Sequence, residues 1–248
     1  MGPERTSRRL GSGDVVIDPR PNIFRAPTDN DGFKLMPHLR QTVGVGGAAE
    51  ERWRDLGLHE RPADELIDHD MTRTVNSDGS VSFQHQFLVP DEMKRLPRVG
   101  VIFDIDPIFT SWRWFGRGPH ENYPDRCTSA VIRVHEATFD ELPYIVPQEF
   151  GLRMDCRWIE CFAVDTSRRL RITADGGTTF HASVTWHTPQ QLYAAADVTE
   201  LERSPRPVVC LDVVHRGLGT ASCGPDVLPE YEVATGEHCL NYTVTELA

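Results

Sequence analysis

The sequence predicts a large antiparallel β-sandwich, and three observations favour that fold class. Apolar residues alternate with polar ones along several segments, as in strands that bury one face. Gly, Pro, Asn and Asp separate these segments at short intervals, which is typical of turns. The sequence lacks the helix–strand alternation that a (β/α)8 barrel requires. A chain of 248 residues is long enough for one large all-β domain.

The predicted elements follow from these patterns in chain order. The segment AAEERWRDLGL (48–58) contains good helix formers and Gly57 near its end, which predicts one short helix near residues 48–56. RPVVCLDVVH (206–215) is apolar on both faces, which favours a central strand. Period-2 alternation predicts half-buried strands in VSFQHQFLV (81–89), VGVIFDI (99–105), LRITA (170–174), FHASVTW (180–186) and CLNYTVTEL (239–247).

Composition excludes several function classes. The formal net charge is −11, which argues against nucleic acid as a partner because phosphate binding needs a basic face. No apolar run approaches the length of a membrane span, so no membrane partner is expected. Residues 1–14 lack the apolar stretch of a secretory signal and are predicted to form a flexible tail before a domain over residues 15–248. The six cysteines include no CxxC pair, which favours buried free thiols and a cytoplasmic location.

The segment PTDNDGF (27–33) raises the question of a cation site. An EF-hand is excluded, because alignment on Gly32 would place Pro27 and His38 at ligand positions. Two alternatives remain, an isolated cation at Asp29 or Asp31 and an Asx-rich turn whose side chains cap their own backbone. The histidines do not cluster at zinc-site spacing, so no metal site is expected on this chain.

The segment WFGRGPHENYPDR (114–126) is predicted to form a rigid loop that organises a cleft. Gly116 and Gly118 permit a positive φ or a close backbone approach, while Pro119 and Pro124 restrict φ. Polar side chains in the segment can satisfy backbone groups of the loop, and direct contact with a sugar is the alternative. These side chains belong to Arg117, Asn122, Asp125 and Arg126.

Two further groups of residues have a structural and a functional interpretation. Trp112 and Trp114 share a strand face, so they pack in the core or offer a stacking platform for a sugar ring. Five carboxylates lie near the loop in sequence and could hold a glycosidase pair, although solvated surface acids are the simpler expectation. They are Glu121, Asp125, Glu149, Asp155 and Glu160.

Four segments together resemble the C-terminal small-chain domain of lacZ-type β-galactosidases, in glycoside hydrolase family 2. They are PNIFRAPTDNDGF (21–33), WFGRGPHENYPDR (114–126), YIVPQEFGLRMDCRWIE (144–160) and GLGTASCGPDVLPEYEV (217–233). The resemblance extends from about residue 17 to the C-terminus. It implies a large antiparallel supersandwich related to galactose mutarotases. That family keeps its catalytic glutamates, and the magnesium and sodium ions, on a TIM-barrel domain that nothing in this sequence resembles.

The resemblance therefore implies that this chain has no catalytic residue, cofactor or metal of its own. It implies instead that the chain forms walls of a β-galactoside cleft and contacts a barrel-containing chain or domain, within a homo-oligomer. Family members have a mobile loop after the DND turn, which corresponds to residues 32–37 here, and a residue of the last loop beneath the substrate. A tryptophan of some relatives is replaced by Cys223 at that position. The expected cleft residues are Gly32, Phe33, Lys34, Arg117, His120, Glu121, Asn122 and Cys223.

Two other function classes stay open at this point. A free-standing mutarotase-like aldose epimerase would need a histidine and a carboxylate in one cleft, and His120 and Glu149 are the candidates. A carbohydrate-binding module would bind galactose without chemistry. A further expectation is self-association, through an unpaired sheet edge or through the loops at 32–37, 117–126 and 219–225.

Overall fold

Two antiparallel sheets pack face to face in the computed structural model, which describes residues 17–32, 48–140, 144–164, 166–221 and 224–247. The described residues contain twelve strands, which confirms the all-β sandwich. They are β1 (Arg20–Asn22), β2 (Asp68–Val75), β3 (Val81–Val89), β4 (Arg98–Asp104), β5 (Ser111–Gly118), β6 (Val131–Thr138), β7 (Arg153–Cys156), β8 (Trp158–Phe162), β9 (Arg169–Ala174), β10 (Phe180–Thr185), β11 (Val208–His215) and β12 (Gly236–Leu247). The predicted tail at 1–14 lies outside the described residues.

The strand order explains the patterns in the sequence. The five-stranded sheet has the order β1-β4-β11-β10-β7, so β11 is central, as its apolar run predicts. The seven-stranded sheet has the order β2-β3-β12-β9-β8-β5-β6. Along β3 the five residues at alternate positions from Val81 to Val89 are buried, which confirms the predicted inward face. Phe103 and Leu211 of one sheet share the core with Phe83 and Tyr242 of the other.

The described residues also contain two short α-helices. The predicted helix is present as α1 (Ala49–Asp55), which buries Trp53 in the core. A second helix, α2 (Pro189–Ala194), was not predicted, because six residues are too few to show a helical period. Its local signal is a capping box, in which Thr188 and Gln191 exchange side-chain and backbone hydrogen bonds. None of the described helices has both the length and the apolarity to cross a membrane.

Trp112, Trp114 and three of the five described cysteines belong to the interior. Trp112 and Trp114 are buried with ring centroids 4.6 Å apart, so core packing is confirmed and the sugar platform is wrong for this pair. The thiols of Cys156, Cys161 and Cys210 are free and buried, and burial raises the pKa of Cys210 to about 12. Cys239 is exposed, against expectation, because it lies on the outward face of β12. Cys127 is half-buried, and Cys223 lies outside the described residues.

Candidate functional site

The four segments singled out in the sequence meet around one cleft of about 170 Å³. Its walls come from the DND turn, from the loop after β5, from the segment before β7 and from the loop after β11. This convergence supports the prediction that the loop at 114–126 organises a cleft. The lining residues are Thr28, Asp29, Asn30, Glu121, Tyr123, Arg126, Tyr144, Gln148, Glu149 and Leu218.

Asn122 fixes the shape of the loop after β5. Its buried amide nitrogen donates to the carbonyl oxygen of His120 at 3.0 Å, and its amide oxygen accepts from the backbone N–H of Met154 at 3.1 Å. The backbone N–H of Asn122 also donates to the carbonyl oxygen of Leu152 at 2.9 Å. One buried side chain thus joins the loop to β7 and satisfies backbone groups that would otherwise be orphaned.

Gly116 and Gly118 allow neighbouring atoms to approach the backbone closely at the start of this loop. A Cβ on Gly118 would lie 2.9 Å from a ring carbon of Trp114 and 2.7 Å from one of His135. A Cβ on Gly116 would lie 2.9 Å from the carbonyl oxygen of Met154. Neither glycine has a positive φ, so only the close-approach half of the sequence prediction is confirmed.

Glu121 is the centre of a hydrogen-bonded cluster in the cleft wall. Its carboxylate accepts from Arg126 at 2.6 Å, from the Tyr144 hydroxyl at 2.6 Å and from the backbone N–H of Gly151 at 2.8 Å. Partial burial and the hydrogen bond to Glu121 raise the pKa of Tyr144. Because charge-assisted hydrogen bonds are the strong ones, this cluster fixes the position of two loops relative to each other.

Asp125 ties the same loop to the segment after β11. Its carboxylate accepts from the backbone N–H of Leu218 at 2.9 Å and from that of Gly219 at 2.7 Å. The two carboxylate oxygens therefore hold the beginning of the last loop. The expectation that such carboxylates are simply solvated is wrong for Asp125 and Glu121, because both are bound by backbone or side-chain donors.

A buried charged layer lies beneath the cleft, on the face of the five-stranded sheet that points away from the core. Arg98 of β4 donates to both carboxylate oxygens of Asp212 on β11, at 2.9 and 2.7 Å, and it lies 3.5 Å from Glu149. Burial raises the pKa of the Glu149 carboxyl, and Arg98 and Arg25 oppose that rise. The loops of the cleft cover these groups, which explains why strands of this sheet are buried on both faces.

The DND turn is anchored in the same layer. Asp31 is fully buried and accepts from Arg25 at 2.7 and 2.9 Å and from the backbone N–H of Thr28 at 2.9 Å. Asp31 thus caps the backbone of its own turn, as the Asx-rich-turn interpretation expects, and Arg25 and the Thr28 N–H occupy its carboxylate. Asp29 lies at the cleft, where its backbone N–H donates to Gln148 at 3.0 Å. The described residues contain no group of three or more His, Cys, Asp or Glu side chains that could hold a metal ion.

Of the five expected cleft residues that the structure describes, only Glu121 lies in the cleft lining. Arg117 instead binds Asp155 on the outer side of the sheet, and His120 is exposed, 3.1 Å from the Ser129 hydroxyl. Asn122 supports the cleft from behind rather than lining it. Gly32 is buried beside the DND turn and does not line the cleft. The other three expected residues, Phe33, Lys34 and Cys223, lie outside the described residues.

The acid–base pair proposed for a mutarotase-like enzyme does not form. Glu149 lines the cleft, but His120 does not. The histidine near Glu149 is His215, whose Nε2 lies 3.9 Å from a carboxylate oxygen. Burial and the neighbouring Arg25 hold the pKa of His215 well below its usual range.

The residues that the sequence interpretation missed come from the same segments. Tyr123 is fully buried against the cleft, and its hydroxyl has no hydrogen-bond partner among the described residues. Tyr144 and Gln148 reach the cleft from the segment before β7. In the sequence, these residues were visible only as tyrosines and an amide within the quoted motifs. The fold is needed to show which side chains of each loop point into the cleft.

The two antiparallel sheets and the loop-built cleft place the chain in the class of antiparallel β-sandwich domains. The family model described as "Beta galactosidase small chain" matches residues 6–245. The chain therefore belongs to the β-galactosidase small chain family. It is 31% identical over 256 residues to a protein named Beta-galactosidase from Arthrobacter sp. (strain B7) and 35% identical over 248 residues to one from Vibrio cholerae serotype O1.

The same comparisons define how much of those relatives this chain represents. The matches cover 89% and 88% of this chain but only 25% and 23% of the two relatives. A third relative, the Beta-galactosidase of Psychromonas ingrahamii, is 30% identical, and the match covers 89% of this chain and 23% of that relative. The chain thus spans about a quarter of the length of the curated relatives that it matches.

Proposed function

We propose that this chain is the non-catalytic small-chain domain of a retaining β-galactosidase, in which it completes a galactoside cleft. The catalytic glutamates, with magnesium and sodium, would come from a barrel-containing chain or domain. Family membership supports this proposal, as does the chain's share of its much longer relatives. The free thiols of Cys156 and Cys210 support a cytoplasmic location as part of the same proposal.

The observation that carries the proposal is the way in which the cleft uses its carboxylates. Glu121 is bound by Arg126, Tyr144 and Gly151, and Asp125 by the backbone of the last loop. Glu149 is buried beside Arg98. A retaining glycosidase needs one carboxylate as nucleophile and another as acid/base at a solvent-filled cleft. Carboxylates that hold loops together fit the role of a wall better.

The first test is turnover of a chromogenic galactoside. The purified chain alone is expected to show no turnover. A barrel-containing chain is then prepared from a relative with its small-chain domain removed, and mixing the two chains should produce turnover. Turnover by the chain alone that disappears in Glu149→Gln would contradict the proposal. So would a folded chain that binds the barrel-containing chain and restores no activity.

A matched pair of variants tests the cleft itself. Tyr144→Phe removes the hydroxyl that donates to Glu121 in the cleft wall. Tyr193→Phe removes a hydroxyl that donates to Glu50 at 3.2 Å, outside the cleft. In the reconstituted enzyme, Tyr144→Phe should raise KM by up to about tenfold, because loss of the hydrogen bond that holds Glu121 releases the cleft wall. Tyr193→Phe should leave KM within about twofold of wild type. Equal effects of the two variants would argue against a cleft wall in this position.

A further inference from the structure

A patch of arginines and aromatic rings lies on the outer face of the seven-stranded sheet, around Glu160 of β8. The strand register places Arg113 of β5 and Arg171 of β9 on either side of Glu160. Arg169 lies two residues before Arg171, on the same face of β9. We call these four residues, with the rings that the arginines contact, the arginine patch. None of the four lines the cleft.

The arginine patch has more positive than negative charge. The Glu160 carboxylate lies 3.5 Å from Arg113, 3.1 Å from Arg169 and 3.6 Å from Arg171. Glu136, 3.9 Å from Arg113, adds a second carboxylate at the sheet edge. The Glu160 side chain is only 5% exposed, whereas those of the three arginines are 31–43% exposed. Solvent therefore meets guanidinium groups above a covered carboxylate, in a chain whose net charge is −11.

Aromatic rings hold two of these guanidinium groups in place. Arg171 stacks over Trp158 at 4.2 Å from the ring centroid, and Arg113 lies over Phe162 at 5.0 Å. A guanidinium that stacks through its face keeps its N–H groups available at its edge. Arg113 and Arg171 donate no hydrogen bond to any residue that the structure describes, and both lie beyond hydrogen-bonding geometry from Glu160. Two fixed cations with unused donors are suited to carboxylate oxygens, which accept such bonds strongly.

Apolar side chains border the arginine patch on one side. Val134 of β6 is 55% exposed and lies opposite Phe115 of β5, which in turn lies opposite Trp158. Phe115 and Trp158 are half-buried. Aromatic residues and arginine are enriched where protein surfaces bind one another. A simple anion would leave this border uncovered, whereas a peptide would cover it while its carboxylates contact the arginines.

The other end of the same sheet face limits the length of an anionic ligand. Asp68 and Asp70 of β2 and Glu237 of β12 lie there. A polyanion as long as a nucleic acid strand would extend from the arginines to these carboxylates and be repelled. A segment of a few residues fits on the arginine patch alone.

We propose that the arginine patch binds a short acidic segment of a partner protein, with carboxylates on Arg113 and Arg171 and apolar side chains on Val134 and Phe115. The excess positive charge selects an acidic segment, and the apolar border favours a peptide over a free anion. Because the arginine patch is not part of the cleft, the inference does not depend on the proposed function. It is tested by binding rather than by turnover.

Fluorescence anisotropy with a labelled peptide tests the proposal on the purified chain. The probe is a fluorescein-labelled octapeptide with glutamates at its centre and leucines at its ends, and the matched control peptide has glutamines in place of the glutamates. At low salt the wild-type chain is expected to bind the glutamate peptide about tenfold more tightly or better. Addition of 0.5 M NaCl should weaken that binding, because the arginines are exposed to solvent.

Two pairs of variants localise the binding. Arg171→Gln should weaken it about fivefold, whereas Arg133→Gln should stay within about twofold of wild type. Both remove one positive charge, but Arg133 is exposed on the opposite face of β6. Glu160→Gln should tighten binding about fivefold, because it removes the carboxylate beneath the guanidinium groups. Glu237→Gln also removes one negative charge, at the acidic end of the face, and should stay within about twofold.

Tryptophan emission gives a second measurement. The chain has five tryptophans, and all except Trp158 are buried. A peptide on the arginine patch should therefore change the emission of Trp158, and Trp158→Phe should remove that change. A change that persists in Trp158→Phe would mean that the peptide binds elsewhere and would contradict the proposal.

Several further outcomes would overturn the proposal. They are equal affinity for the two peptides, equal effects of the two arginine variants, and weaker binding by Glu160→Gln. Displacement of the peptide by inorganic phosphate, where sodium chloride of the same ionic strength does not displace it, would assign the arginine patch to a free anion instead. Circular dichroism checks that each variant is folded, and the comparison of the two peptides on the wild-type chain tests the proposal without any variant.

Discussion

The outer faces of the two sheets bear carboxylates paired with arginines, but in opposite surroundings. On the five-stranded sheet, Asp212 accepts two hydrogen bonds from an arginine, Arg98, that is fully buried beneath the cleft loops. On the seven-stranded sheet, Glu160 lies within 3.6 Å of three arginines that remain 31–43% exposed. The cation has lost its water in the first case and has kept much of it in the second.

This difference determines what each pair contributes. A buried charge that loses its partner stays desolvated. Removing one partner of a buried pair therefore lowers the free energy of unfolding by much more than the intact pair contributes to it. An exposed cation that loses its partner is hydrated again at once. The cleft end of the molecule should therefore depend strongly on single charged residues, whereas the open face of the seven-stranded sheet should tolerate their loss.

The largest expected effect is that of Asp212→Asn. The substitution preserves side-chain size but leaves Glu149, at 3.5 Å, as the one charged partner of the Arg98 guanidinium among the described residues. The free energy of unfolding should fall by about 3–5 kcal/mol. Urea unfolding followed by circular dichroism measures this loss, and a value below about 1 kcal/mol would contradict the contrast between the two faces.

The pH dependence of stability should report the buried histidines. Burial, with a smaller contribution from the neighbouring His69, lowers the pKa of His85 to about 3, and burial lowers that of His181 to about 4. In the unfolded chain both would titrate near 6.5. The unfolded state therefore takes up protons first. The stability that each histidine contributes is full above pH 6.5 and falls by about 1.4 kcal/mol per pH unit as the pH drops toward the folded pKa.

Unfolding measured between pH 7 and pH 4 checks this expectation. His85→Gln should remove one histidine's share of the slope, because the glutamine does not titrate there. His120→Gln, at an exposed position, is the matched control for replacing a histidine by glutamine. Parallel pH profiles for wild type and His85→Gln would show that His85 is not the group responsible.

Much of the fold could be predicted from the sequence because each strand carries its own signal. The alternation in β3 reflects burial of one face of that strand, and the continuous apolar run of β11 reflects burial of both faces. The helix α2 was missed because its capping box is a contact between only two residues, Thr188 and Gln191. The pairing order of the strands depends on contacts far apart in sequence, which no local pattern records.

The cleft was predictable as a set of segments but not as a set of side chains. Of the two neighbours Glu121 and His120, both expected at the cleft, Glu121 lines it and His120 points to Ser129 and solvent. Tyr123 and Arg126, in the same loop, also line the cleft but were not among the expected cleft residues. A loop has no fixed period, so the direction of each side chain depends on partners such as Leu152 and Met154, which lie about 30 residues further along the chain.

The smallest expected effect is that of Glu160→Gln, the counterpart of Asp212→Asn on the seven-stranded sheet. Glu160 lies 3.5 Å from Arg113, 3.1 Å from Arg169 and 3.6 Å from Arg171. Its removal leaves three cations close together, but each retains contact with water, and Arg171 retains its stack on Trp158. The free energy of unfolding should fall by at most about 1 kcal/mol.

Because the remaining repulsion is between hydrated charges, 0.5 M NaCl should reduce the difference from wild type. The same salt should leave the cost of Asp212→Asn nearly unchanged, since a buried guanidinium is screened much less. A loss for Glu160→Gln as large as that for Asp212→Asn, and equally insensitive to salt, would mean that the open face is as desolvated as the layer beneath the cleft.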